Sequence, residues 1–185
     1  MALGLDRRCA LISALALALL AAAGCGGGTG AVASALRRPL HLPHLAAHAR
    51  CPTAPTHAGT FTGPVVGPGP VYVAGFEGRS SLPMVLQRRS RWAGQQVVVL
   101  SSAHYQGPVL IRGRRLSGPG AVRFGGERVP DDELELSAPG VSTGDEPVGW
   151  RAWLVFMRVP ASGCYALQVD GTSFSYAIAF EAAVP

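Results

Sequence analysis

The two cysteines in the body of this chain, Cys51 and Cys164, are the residues whose chemistry is easiest to specify. The other two, Cys9 and Cys25, lie close to the N-terminus. If the chain is exported, as its N-terminus indicates below, Cys9 and Cys25 belong to the targeting segment. The two cysteines left in the body then most simply form a disulfide with each other. The pair therefore predicts a covalent loop of roughly 110 residues, whose chain entropy corresponds to a stabilisation of about 4.7 kcal/mol. Two reactive thiols and a shared metal ion are the alternatives.

Trp92 is a second candidate, because it lies beside the guanidinium groups of Arg89 and Arg91. Exposed aromatic side chains are common platforms for sugars and peptides. Trp150 and Trp153 have opposite parity on one strand, so at least one of them should face the core. A carbohydrate- or peptide-binding site at Trp92 is therefore kept as an alternative function. The favoured interpretation is a core or edge tryptophan flanked by solvated arginines.

Three histidines precede Cys51 at spacings that could gather imidazoles on one face of a helix: His41, His44 and His48. Imidazole and thiolate are preferred ligands of zinc. Pro43 interrupts the segment, however, and a disulfide would occupy Cys51. A linker without metal is favoured, and neither a metal site nor a cofactor is predicted.

Catalytic chemistry would need a nucleophile, a base and an orienting acid. Ser101, Ser102 and His104 lie together, but no strand-turn-helix elbow of the G-x-S-x-G type is predicted around any serine. The carboxylates between Asp131 and Glu135 lack the ligand spacing of a calcium loop and partly alternate with leucines, as a solvated strand face does. No catalytic residue is predicted, and the chain is expected not to be an enzyme.

The N-terminus has the three-part pattern of a secretory signal. Arg7 and Arg8 precede the apolar stretch Ala10–Leu20, and small residues follow at Ala21–Gly24. The uncharged run Cys9–Ala23 is shorter than the roughly 20 residues that span a bilayer. Residues 1–24 are therefore predicted to be a signal peptide that directs export.

The run Ala22-Ala23-Gly24-Cys25 resembles the lipobox of bacterial lipoproteins. The resemblance implies that Cys25 is lipidated and holds the protein on the extracytoplasmic face of the cell membrane; plain secretion is the alternative. Two or three acyl chains would give stable anchoring. The glycines that follow predict a flexible tether over residues 25–50, and residues 51–185 form the expected domain.

The charge of the chain is unevenly placed. Residues 1–50 hold five arginines and one acid, whereas residues 51–185 hold eleven arginines and ten acids. The formal net charge of +5 therefore belongs mainly to the N-terminal segments. Because a nucleic-acid groove requires a basic folded body, no nucleic-acid partner is predicted. An unidentified ligand or protein of the envelope is the expected partner, besides the membrane itself.

The candidate residues of the domain, residues 51–185, are expected to lie on β-strands and the loops between them. Glycine and proline are spread through this domain, and β-branched and aromatic residues fall in short runs, which excludes a helical bundle. The pattern predicts one all-β domain, a β-sandwich. The apolar run within Gln95–Leu100 is typical of a central strand. The upstream strands are predicted at Val71–Phe76, Met84–Gln87, Gln95–Leu100, Pro108–Arg112, Ala121–Phe124, Glu133–Leu136 and Trp150–Val159.

Two further strands are predicted at the C-terminal end, Gly163–Thr172 and Ser173–Phe180, with a two-residue turn at Asp170-Gly171. That turn would place Leu167 opposite Phe174.

Cys164 then lies on the small-residue face of its strand, which is awkward for a disulfide that crosses the core. Either the bond skirts the edge of the sheet or a bulge near Gly163 changes the parity.

The segment from Pro160 to Tyr165 resembles the penultimate strand of immunoglobulin-like sandwiches. Gly107–Leu116, Val122–Phe124, Trp150-Arg151 and Gly163–Ser175 together resemble an uncharacterised family of exported bacterial proteins. The resemblance covers about 80 residues and implies the sandwich fold and export. It assigns no functional residue.

Overall fold

The computed structural model of this protein describes residues 29–52, 54, 56–57, 63–77, 81–87, 90–137, 139–140 and 146–185. The predicted signal peptide, Cys25 and Arg89 lie outside these residues. Within them, two sheets pack face to face around one main core, which confirms the predicted all-β sandwich. The described part of the chain contains no helix long and apolar enough to cross a bilayer.

The elements follow one another along the chain in a nearly continuous series of strands. They are α1 (Thr29–Leu36), β1 (Thr56–His57), β2 (Val65–Val66), β3 (Val71–Ala74), β4 (Ser81–Pro83), β5 (Val85–Leu86), β6 (Ala93–Ser101), β7 (Val109–Arg115), β8 (Arg123–Phe124), β9 (Glu133–Leu136), β10 (Arg151–Val159), β11 (Gly163–Gly171) and β12 (Ser175–Ala183).

The first sheet has the strand order β1-β2-β3-β6-β10-β8, with β5 also paired to β6. The second sheet has the order β4-β12-β11-β7-β9. All pairs are antiparallel except β4 with β12. The predicted strand Glu133–Leu136 has the observed bounds, and β6 is central in its sheet as the apolar run predicted.

The core lies between the inner faces of the two sheets, where alternate residues of each strand meet. Val97 and Val99 of β6 face it, as do Tyr165 of β11 and Phe180 of β12, whose rings stack 5.7 Å apart. Trp153 is buried in this core. The predicted opposite parity of the two tryptophans of this segment is therefore confirmed, since Trp150 lies on the outer side.

The predicted C-terminal hairpin is correct in its two strands and wrong in its turn and register. Leu167 pairs with Ile178, not with Phe174, and the strands remain paired up to Asp170 and Ser175. The Asp170 carboxylate is fully buried and accepts hydrogen bonds that hold it inside the sheet. Because Asp170 belongs to β11, the turn between the two strands lies after Gly171 and before Ser175.

Residues 29–52, here called the N-terminal strap, lie against the outer face of the second sheet. The predicted flexible tether is therefore wrong for the part of residues 25–50 that the structure describes. Ala33 and Leu36 pack on the fully buried Leu110 of β7. Arg38 donates to the carbonyl oxygen of Phe174, and the His41 amide donates to Oε1 of Gln168 at 2.6 Å. The strap is thus held on this face by apolar packing and hydrogen bonds, which a free tether would not form.

The predicted disulfide between Cys51 and Cys164 is confirmed, with an S–S distance of 2.01 Å and a Cα–Cα distance of 5.3 Å. It joins the strap to the outer face of β11 and does not cross the core. Cys164 therefore lies on the small-residue face of its strand, as predicted. Because Cys51 is on the same side of the sheet, the disulfide needs neither a path around the sheet edge nor a bulge near Gly163.

A buried polar cluster lies beneath the strap. Arg112 donates to Asp170 at 2.8 Å and to the carbonyl oxygen of Arg38 at 2.6 Å. Gln168 donates to both oxygens of Asp170 and to the carbonyl oxygen of Pro39. Buried polar groups are stable only when they are hydrogen-bonded, so the strap completes the polar layer of this face.

Candidate ligand-binding groove

Trp92 precedes β6 and is only 8% exposed. This agrees with the favoured interpretation of a core or edge tryptophan and contradicts the alternative of an exposed aromatic platform. The guanidinium carbon of Arg91 lies 5.0 Å from the centre of its ring, and that of Arg123 lies 5.9 Å away. Stacked guanidinium groups occupy the ring surface that a sugar would need. Trp92 thus supports the arginines instead of presenting a free face.

The arginines line an open groove of about 670 Å³ beside Trp92. One wall comes from the loop between β5 and β6, and the other from the loop between β8 and β9. Among the described residues, four arginines and one carboxylate line the groove: Arg91, Arg123, Arg128, Arg158 and Glu127. Such a lining has a positive potential that is strengthened by the low-dielectric wall.

Arg123 and Arg158 lie directly opposite each other on the neighbouring strands β8 and β10. Like charges at directly opposed positions of a sheet are destabilising. Asp132 pairs with Arg123 on one side. Arg158 donates to the carbonyl oxygens of Gly126 and Glu127, at 2.6 and 2.9 Å, which are uncharged partners. The repulsion is therefore only partly offset within the protein.

The remaining two arginines of the groove are at its surface. Arg91 and Arg128 are exposed, and neither forms an ion pair with a described residue. The Nε atoms of Arg123 and Arg158 are buried without a hydrogen-bond partner among the described residues. At the rim of the groove, the guanidinium groups of Arg91 and Arg128 are exposed to solvent. In its floor, the like charges of Arg123 and Arg158 are only partly neutralised.

The residues considered for catalysis are not brought together. Ser101 is buried and donates to the carbonyl oxygen of Tyr105 at 2.7 Å, whereas His104 is exposed. Ser142, between Gly140 and Gly144, matches the letters of a G-x-S-x-G motif but lies outside the described residues. The strand β10 follows this segment, whereas a nucleophile elbow would lead into a helix.

The acids after β8 serve as ion-pair partners. Asp132 pairs with Arg123, and Glu133 of β9 pairs with Arg37 of the strap. The Glu133 carboxylate raises the pKa of Arg37 through a hydrogen bond and charge attraction. Two of the four carboxylates considered for an acid/base pair or a calcium site, those of Asp132 and Glu133, are thus engaged in ion pairs.

The histidines of the strap are on its surface. Nδ1 of His41 lies 2.9 Å from the carbonyl oxygen of Pro39, and His44 and His48 are exposed. Among the residues that the structure describes, no group of three or more histidine, cysteine, aspartate or glutamate side chains is placed to hold a metal ion.

Of the arginines in the groove, Arg91 was predicted from its place beside Trp92, whereas Arg123 and Arg158 were not predicted. Each stands between apolar residues, in Val122-Arg123-Phe124 and Met157-Arg158-Val159. A charged residue between two inward-facing residues of a strand must point outward, so both were detectable as outward-facing cations. Their pairing was not detectable, because it depends on β8 lying beside β10.

Comparisons with known proteins do not assign a family. No family model matches the chain, and no curated protein matches it. The CooA pilin subunit from enterotoxigenic Escherichia coli is a solved structure that matches with a TM-score of 0.36 and 9% sequence identity. The match covers 63% of this chain and 97% of the pilin chain.

Proposed function

We propose that this protein is a non-catalytic envelope module that binds an acidic ligand in the groove beside Trp92. The observation that carries the proposal is the directly opposed pair Arg123 and Arg158, which lines the groove and is only partly neutralised. An anion placed between them would relieve their repulsion and form charge-assisted hydrogen bonds. The earlier expectation of an unspecified envelope ligand is thereby narrowed to an acidic one.

The geometry favours an acidic ligand over a neutral sugar. A neutral sugar ring needs an exposed aromatic face, but Arg91 and Arg123 lie over the ring of Trp92. An acidic group instead needs donors in a fixed fork, which guanidinium groups provide. Trp92 holds these donors in place by stacking.

The proposal includes export and a lipid anchor. The secretory pattern of residues 1–24 and the lipobox-like sequence before Cys25 support it. We expect the mature protein in the membrane fraction, starting at Cys25 and carrying added acyl mass in an intact-mass measurement. A soluble mature form without acyl mass would contradict the anchor and leave the groove unaffected.

Calorimetric titration of the full-length chain, in a nonionic detergent, tests the groove with tripolyphosphate as the acidic probe. We expect binding that weakens as salt is added, because exposed ion pairs are screened. Arg91→Ala should weaken binding about fivefold, since an exposed ion pair contributes up to about 1 kcal/mol.

Arg50→Ala is the matched control, because it removes one exposed positive charge outside the groove. It should leave the affinity unchanged within error. Equal losses in both variants would reduce the effect to net charge. Heat released by neutral dextran but not by tripolyphosphate would overturn the proposed ligand class.

A further inference from the structure

A second groove of about 620 Å³ lies on the other side of Arg123, so this residue lines both. It is formed by the C-terminal part of β7, the turn after it, the start of β9 and the strap. Its charged lining among the described residues consists of Arg37, Arg112, Arg114, Arg115, Arg123, Asp132 and Glu133.

Two arginines of the second groove have no carboxylate partner among the described residues. Arg114 is exposed, and Arg115 donates to the carbonyl oxygen of Ser162. The carboxylates of this region are already engaged: Asp170 with Arg112, and Glu133 with Arg37. Arg114 and Arg115 therefore extend the positive surface past Arg123.

The fold concentrates charge that the sequence spreads out. Seven of the eleven arginines from residue 51 onward line the two grooves, against three of the ten acids. A nearly neutral body thus presents one basic band along an edge of the sandwich. Charge arithmetic on the chain could not have shown this, because it takes no account of position.

We infer that the two grooves form one track for a linear polyanion, joined at Arg123. The inference rests on the proposed function and specifies its ligand as a polymer with recurring phosphate or carboxylate groups. A short anion occupies one groove, whereas a polymer occupies both, and its second contact benefits from the high effective concentration that the first creates.

The groove linings favour a polymer with a non-aromatic backbone, such as an acidic polysaccharide or a polyol phosphate. Proteins that bind single-stranded nucleic acids stack bases on exposed aromatic rings. Trp92 is the sole aromatic residue among the described residues lining the two grooves, and arginines cover it. The described residues of the track therefore offer no exposed ring on which a base could stack.

The test compares long-chain polyphosphate and polygalacturonate with tripolyphosphate, using the full-length chain and concentrations expressed per charge. Both polymers should bind more tightly than tripolyphosphate and with a steeper dependence on salt. Binding of one polymer alone would identify the acidic group, phosphate or carboxylate, and would still support the track. Equal affinity and equal salt slope for tripolyphosphate and both polymers would overturn it.

Arg114→Ala separates the track from the first groove. It should weaken polymer binding about fivefold, equivalent to about 1 kcal/mol, and reduce the salt slope by about one. Arg50→Ala should change neither quantity. A normal melting temperature would show that both variants remain folded.

The two proposals fail in different ways. An effect of Arg91→Ala without any effect of Arg114→Ala overturns the track and leaves the first groove standing. No effect of either variant overturns both. Polythymidine bound as tightly as the acidic polymers overturns the choice of a non-aromatic polymer.

Discussion

The outer faces of the two sheets differ in what covers them. The second sheet is covered by the strap, which is linked to it by a disulfide and by hydrogen bonds to Gln168. The outer face of the first sheet is covered only in part: Leu100 and Ala152 are buried there in a small apolar cluster with Trp150 packed against it, whereas Leu154 is 58% exposed. Strands of similar composition therefore have different roles, depending on which segment packs on them.

The charges of the two faces follow the same division. Under the strap, Asp170 is fully buried and neutralises Arg112. On the first sheet, Arg123 and Arg158 oppose each other, with Asp132 as a largely exposed partner. Arg158 is only 7% exposed and donates to two backbone carbonyl oxygens, so among the described residues it is a buried charge without a carboxylate partner, which is a costly arrangement. The face under the strap thus has the matched charges that stability requires, whereas the groove beside Trp92 has the charge for which we propose an acidic ligand.

Removing the disulfide should have the largest effect on the covered face. For the double variant Cys51→Ser and Cys164→Ser, we expect the free energy of unfolding to fall by about 4 kcal/mol, because the bond closes a long loop. Urea unfolding measures it. Wild-type protein treated with a reducing agent is the control and should show the same loss. A change below about 1 kcal/mol would show that the strap docks without the bond.

Asp170→Ala should be nearly as damaging, with a loss of about 3 kcal/mol, because it leaves Arg112 beneath the strap without a carboxylate. Faster amide exchange at His41 would localise the effect to the strap. Asp132→Ala removes an ion-paired carboxylate that is 74% exposed, and should cost less than about 1 kcal/mol. Equal losses in the two variants would contradict the distinction between the faces.

A pair of leucine substitutions compares apolar packing on the two faces. Leu110→Ala should lower the free energy of unfolding by about 2 to 3 kcal/mol, since this side chain is fully buried under α1. Leu154→Ala should change it by less than about 0.5 kcal/mol, as surface substitutions do. Thermal unfolding of the two variants checks both values. A large loss for Leu154→Ala would mean that its face is covered.

The smallest effect is expected for ligand affinity in Asp132→Ala. Because Asp132 neutralises Arg123, its removal should strengthen polyphosphate binding by about twofold to fivefold. Calorimetry at low salt measures this gain, and Asp131→Ala is the matched control outside the groove lining. Weaker binding would show that Asp132 positions Arg123 instead of competing for it.

The regular parts of the fold could be predicted from local patterns. The alternation of apolar and polar residues predicted β9 and the two C-terminal strands. The odd spacing of Trp150 and Trp153 predicted that they lie on opposite faces. The disulfide followed from having only two cysteines in the body. These predictions needed nothing beyond the period of a strand and the count of one residue type.

The rest depended on contacts between distant segments. The Asp170-Gly171 turn signal was overridden because Arg112, distant in sequence, holds the carboxylate inside the sheet. The strap was predicted to be a linker because the residues that hold it are on β7 and β11, far from it in the sequence. Trp92 looked exposed because the arginines that cover it include Arg123, which a separate strand supplies.

Order of synthesis gives the strap a further consequence. The ribosome delivers residues 29–52 before any of the strands, but β11, which holds Gln168 and Cys164, is complete only at Gly171. The second sheet also needs β12 between β4 and β11. Until then the thiol of Cys51 has no partner on β11. Maturation of this half is therefore late and concerted, whereas β2, β3 and β6 can pair while the chain is still growing.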